Sequence, residues 1–144
     1  MRRSVRNAWA MSRDAHDSFA REVLELHRFL EQWLKGEVPP GDTIARLENA
    51  LDEDFQVVHP DGSRAGKREV VDNFRRAYGT KGASYRLEIS GLVTRPLAGH
   101  CHLATYREDH LSEPGRSRIS SAVLCNRDDR TSWIFLQETL IARA

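Results

Sequence analysis

Arg118-Ile119-Ser120-Ser121-Ala122-Val123-Leu124-Cys125 and Trp133-Ile134-Phe135-Leu136-Gln137-Glu138-Thr139-Leu140-Ile141 read as the two arms of one β-hairpin. Between them, Asn126-Arg127-Asp128-Asp129-Arg130 is polar and turn-forming, because Asn and Asp tolerate left-handed dihedrals and bond their own backbone. Successive strand residues point to opposite faces. Strict alternation puts Trp133 and Phe135 on one face and Ile134 and Leu136 on the other, so both faces of the hairpin are apolar. Such a hairpin belongs inside a sheet and needs cover on each side.

The chain before it supplies that cover in order. Phe19, Val23, Leu26, Leu30 and Trp33 recur in steps of four and three, which predicts a helix from Asp14 to Lys35 with one apolar stripe. Leu24, Phe29 and Leu34 widen the stripe, and Gly36 with Pro39-Pro40 ends it. Asp42 is expected to cap a second, shorter helix from Thr43 to Leu51. Phe55 to His59 reads as a short strand halted by Pro60-Asp61-Gly62, and Lys67 to Tyr78 as a third helix stopped by Gly79. Tyr85, Leu87, Ile89 and Val93 alternate with polar residues, and His100 to His110 returns as the next strand. Helices first and antiparallel strands afterwards predict an α+β domain of three helices on a strongly curved, mainly antiparallel sheet. Three helices cover one face of a sheet. The other face is expected to pair with a second copy, giving a homodimer through the sheet.

Composition narrows the function classes. With 144 residues, 40% apolar and 30% charged, the chain is of a size for one domain, expected over 14–144. Residues 1–13 carry four arginines and no acid, and are expected to form a flexible basic arm. A formal net charge of +1 argues against a nucleic-acid partner, and no apolar run reaches the ~20 residues that span a bilayer. Cys101 and Cys125 lie in strand-like segments and are expected as buried reduced thiols in a cytoplasmic protein, with a disulfide or metal role as the alternative.

Leu51-Asp52-Glu53-Asp54-Phe55, His59-Pro60-Asp61-Gly62 and Trp133-Ile134-Phe135-Leu136-Gln137-Glu138-Thr139, in this order of elements, resemble the nuclear transport factor 2-like superfamily, closest to its SnoaL-like group and members of unknown function. The resemblance implies a cone, with helices leaning on a curved sheet around a pocket. The superfamily includes isomerases, dehydratases, cyclases and non-enzymatic dimerisation modules, so fold alone does not choose among them. In its steroid-isomerase branch a catalytic aspartate precedes the proline of the turn. His59 stands there in this chain, while the place of that branch's tyrosine late in the first helix is taken by Phe29.

His59 is accordingly the candidate general acid or base, with a near-neutral titration suited to the task and Asp61 as a possible orienting group. Tyr106 and Glu108 share a strand face and are candidates for a donor and a base. Their alternative role is structural, with Glu108 paired to Arg107, Arg116 or Arg118. Phe29, Trp33, Phe74, Trp133, Phe135 and Gln137 are the candidate ligand-binding wall, one hydrogen-bonding group among apolar ones. Gln137 and Glu138 point opposite ways, so only one of them enters a pocket. His100 and His102 share a strand face with Glu108, but the gap to the glutamate is too long and a third and fourth ligand are not evident, so neither a metal nor another cofactor is expected. The function read from these residues is a homodimeric domain binding a small apolar ligand. An isomerase or dehydratase using His59, and a dimerisation module with a filled cone, are its alternatives.

Overall fold

The computed structural model describes residues 13–112 and 116–141; the basic arm, apart from Arg13, lies outside them, as does part of the turn at Glu113-Pro114-Gly115. The elements run α1 (Arg13–Lys35), a 3₁₀ turn (Asp42–Ile44), α2 (Ala45–Ala50), β1 (Leu51–Val58), β2 (Arg64–Gly66) and α3 (Lys67–Ala77). Four long strands follow: β3 (Leu87–Pro96), β4 (Cys101–His110), β5 (Ser117–Arg127) and β6 (Arg130–Leu140). The fold is α+β: three helices on a curved, open six-stranded sheet of order β2-β1-β6-β5-β4-β3. Every pairing is antiparallel except β1 with β6.

Helix α1 closes as its sequence dictates. Gly36 takes φ +72°, its N–H bonds the Trp33 carbonyl at 3.1 Å, and the Glu37 N–H bonds the Gln32 carbonyl at 2.8 Å. This glycine-terminated double bond satisfies the last carbonyls of the helix. The inward stripe, Phe19, Val23, Leu26 and Trp33, is fully buried, whereas Leu24 faces out. At the centre of the sheet Ala104 and Ala122 sit opposite each other with no exposed surface, which lets the buried face of the cone pack without bulk. At the far end of α1 the Trp33 indole N–H donates to the Phe74 carbonyl at 2.6 Å, tying α1 to α3.

Several expectations are corrected. Asp42 does not cap the second helix; Gly41 precedes the turn at φ +82° and no side chain caps it. The first strand starts at Leu51 rather than Phe55, and the three-residue β2, Arg-Ala-Gly, carries no strand signal that could have announced it. The opening hairpin is present, with Asp128 and Asp129 both at positive φ between paired Arg127 and Arg130, the two-residue turn that matches strand twist. Its faces, however, differ from strict alternation. The register shifts at Ile134: Trp133 pairs with Leu124 but Phe135 pairs with Val123. One extra residue in a strand reverses all that follows. Trp133, Leu136 and Glu138 therefore face the helices, and Phe135 and Gln137 face away.

The cysteines are also corrected. Cys101 and Cys125 are directly opposite partners of β4 and β5 and form a disulfide, not two reduced thiols. Neither strand sequence alone reveals register, so the pairing was invisible before the sheet was aligned. Reducing this bond, which spans 24 residues, should lower the unfolding free energy. By the chain-entropy relation the loss is about 3 kcal/mol. Urea midpoints with and without dithiothreitol measure it, and a Cys101→Ser, Cys125→Ser double variant should match the reduced protein.

Candidate functional site

Between α1, α3 and the concave face of the sheet lies a cavity of about 220 Å³. Leu26, Leu30 and Leu34 of α1 form one wall and Val70 and Phe74 of α3 another. Phe55 and Val57 of β1, with Trp133 and Leu136 of β6, supply the sheet side. Leu47, Leu51 and Leu87 complete the apolar lining, and the polar part comprises His27, His59, Tyr85, Glu108, His110, Arg118 and Glu138.

Those polar side chains are joined in two linked groups. In the first, Glu108 is 6% exposed and its Oε1 accepts from His27 Nε2 at 3.1 Å, its Oε2 from His110 Nε2 at 2.7 Å. The other nitrogen of His27 faces the Val23 carbonyl at 2.7 Å. A carbonyl and a carboxylate both only accept, so both ring nitrogens of His27 carry protons and the ring is an imidazolium. The other nitrogen of His110, Nδ1, lies 2.9 Å from the Tyr85 hydroxyl. In the second group, Arg118 donates to Glu138 Oε2 at 2.8 Å, and Glu138 Oε1 stands 3.5 Å from His59 Nδ1. Arg118 Nε lies 4.0 Å from Glu108 Oε2 and connects the two groups.

The electrostatics follow from that geometry. Burial alone would raise the Glu108 pKa, but hydrogen bonds from His110 and His27 and their charge hold it far below its ordinary 4.5. Burial alone would lower His27, and Glu108 with the Val23 carbonyl reverses this, leaving it above 6.5. Burial, joined by the Glu108 and Glu138 charges, lifts Tyr106 well above its usual value.

The structure brings together some of the residues picked from sequence and not others. His59, Glu108, Phe74 and Trp133 line the cavity. Tyr106 shares Glu108's face but lies behind the lining, its ring edge-on to His27 at 5.3 Å, so the two do not converge as donor and base. Phe29 and Trp33 pack on each other in the core rather than on the cavity. Phe135 and Gln137 sit on the opposite face, and Glu138 enters in place of Gln137. His59 Nδ1 stands 3.5 Å from Glu138 Oε1, and the Asp61 carboxylate, the expected orienting group, is held by Ser63. Glu108 pairs with histidines and with Arg118; Arg107 pairs with Asp109. His100 lies in the turn before β4 at φ +64°, and His102 stacks on Phe19 at 4.0 Å. His27 and His110 were missed, and Arg118, expected only as a structural partner of Glu108, also lines the cavity. A histidine between Leu26 and Leu30 on the apolar stripe was a readable signal for the first, whereas the other two needed the strand register.

A model of the sucrose-6-phosphate phosphohydrolase C-terminal family matches residues 19–141. Probable sucrose-phosphatase 3a of Arabidopsis thaliana is 25% identical over 125 residues, 83% of this chain and 29% of that protein. Sucrose-phosphatase 2 of Nicotiana tabacum is 23% identical over 127 residues, 83% of this chain and 30% of that protein. The chain thus spans less than a third of the length of these curated relatives. A nuclear transport factor 2-like protein of unknown function from Pseudomonas aeruginosa superposes with TM-score 0.74 at 27% identity, covering 87% of this chain and 99% of that one. A putative dehydratase of the nuclear transport factor 2-like family from Streptomyces avermitilis gives TM-score 0.66 at 13% identity, covering 88% and 96%. The fold is that of the nuclear transport factor 2-like superfamily.

The His27–Glu108 pair makes stability depend on pH in a definite direction. The raised His27 contributes fully below 6.5 and loses its contribution as pH rises through its native value. The depressed Glu108 contributes fully above 4.5 and loses its contribution as pH falls through its native value. The pair is therefore worth most between 4.5 and 6.5. Urea unfolding across pH should show the wild type losing its advantage over His27→Gln on the alkaline side. Glu108→Gln, which strands His27 and Arg118, should cost about 3 kcal/mol, as removal of one partner of a buried ion pair does.

Proposed function

The chain belongs to the sucrose-6-phosphate phosphohydrolase C-terminal family, and from that premise we propose that it is a homodimeric small-molecule-binding cone rather than a phosphatase in its own right. The observation that carries this reading is the cavity itself: a partly open space with mainly apolar walls and a cluster of polar side chains, the arrangement of ligand sites generally. The plant relatives' names point to a sugar phosphate. In this cavity its hydroxyls would meet leucines, and its phosphate would meet Glu108 and Glu138. That substrate suits another part of those longer proteins.

The dimer reading rests on the convex face. Val58, Leu103, Val123 and Phe135 are only half-buried there, and Val93 and Ile119 are 56% and 45% exposed. All lie on the side of the sheet away from the described helices. Contiguous apolar surface of that kind marks an interaction site. A second reading, an acid–base enzyme, is favoured by one contact: His59 Nδ1 lies 3.5 Å from Glu138 Oε1 in the cavity lining. A carboxylate beside an imidazole fixes its tautomer and supports proton transfer.

Native mass spectrometry of the protein as purified is expected to give twice the chain mass, with a retained small molecule in part of the population. Ile119→Lys, on the convex face, should give a folded monomer that keeps the cavity. A monomeric wild type at micromolar concentration removes the dimer. For the second reading, His59→Asn should abolish turnover of a substrate found by screening while leaving the urea midpoint nearly unchanged; undiminished turnover removes His59 from the chemistry.

A further inference from the structure

We infer that the cavity takes a neutral molecule about the size of one substituted ring, whose single polar group donates a hydrogen bond, as a phenol or comparable alcohol does. The inference rests on reading the cavity as a ligand site and adds what that ligand is.

Size comes first. An engineered apolar cavity of ~150 Å³ holds benzene, so by proportion 220 Å³ accommodates about nine non-hydrogen atoms. Charge comes second. In the polar part of the lining the Glu108 carboxylate is matched by the His27 imidazolium, and Glu138 by the Arg118 guanidinium. A ligand carboxylate or phosphate would add a charge facing two carboxylates. A ligand ammonium would add one facing Arg118 and His27. Either leaves a desolvated charge without a partner, which is strongly unfavourable.

Hydrogen-bonding capacity comes third and sets the direction of the bond. The donors on this wall are occupied or out of reach: the Tyr85 hydroxyl and His110 bond each other, the Trp133 indole N–H donates to Glu22 at 3.0 Å and Arg118 donates to Glu138, while Arg118 Nε makes no hydrogen bond but has no accessible surface for a ligand to reach. The acceptor is neither. Each carboxylate oxygen offers two lone-pair sites, and among the described residues Glu138 Oε1 has only the His59 nitrogen at 3.5 Å, beyond ordinary hydrogen-bond distance. A ligand O–H therefore meets a waiting acceptor, while a ligand that only accepts finds no free donor.

Four probes, each with nine non-hydrogen atoms by formula, separate these points: para-ethylphenol, its isomer para-methylanisole, benzoate and 2-phenylethylammonium. Their binding is read by calorimetry and ligand-observed NMR. Para-ethylphenol is expected to bind about tenfold or more tighter than para-methylanisole, the worth of one hydrogen bond to a charged group. Benzoate and 2-phenylethylammonium are expected to be weakest. In Glu138→Gln the phenol's advantage over the anisole should shrink; if that variant does not fold, the wild-type ranking still decides. Equal affinity for the two isomers, or preference for either ion, overturns the ligand class and leaves the cavity as a binding site. Failure of all four probes overturns the inference and the binding reading together.

Discussion

A carboxylate taken out of water has to be matched in charge and hydrogen bonding, and at Glu108 that requirement reaches across the molecule. One of its oxygens fixes His27 of α1, the other fixes His110, and His110 in turn bonds Tyr85 from the segment before β3. Arg118 on β5 leans toward the same group and carries its charge on to Glu138 of β6. A helix and three neighbouring strands are thereby held in one relative arrangement at the wide end of the cone. The apolar contacts beneath tolerate sliding; this polar layer does not, because any shift strands a buried charge.

Much of the architecture was legible because it rests on local signals. The α1 stripe, the stop at Gly36, the third helix and the closing hairpin all follow from spacing and turn chemistry. What was not legible depends on register. Ile134 is an ordinary strand residue by composition, yet its place in a bulge exchanged Phe135 and Gln137 for Leu136 and Glu138 on the cavity face. No propensity marks such a residue, since the choice is made by the partner strand. The disulfide has the same cause: Cys101 and Cys125 look like two separate strand thiols until β4 and β5 are aligned. His59 was found because a turn motif fixes its position independently of pairing. His110 was missed, and Arg118 was expected only as a partner of Glu108, because the positions of both are set by pairing.

The family match and the fold answer different questions. The match ties this chain to a part of the plant sucrose-phosphatases, while the solved nuclear transport factor 2-like structures describe a scaffold that carries many activities. Neither dictates what occupies the cone. In this chain the cavity is lined by leucines along the helix, by aromatics, and by carboxylates paired with cationic side chains.

The parallel pairing of β1 with β6 joins the first strand of the sheet to the last, with every other element of the sheet made in between. Hairpins such as β5–β6 form from neighbouring residues, but this junction has to close more than half of the chain into a loop before it gains anything. It also completes the cavity, since Phe55 and Val57 on one side meet Trp133 and Leu136 on the other. The apolar wall of the cavity is thus complete only once both strands have been made and paired. A chain still emerging from the ribosome would hold its helices and a meander of strands, with the two halves of that apolar wall apart and open to solvent.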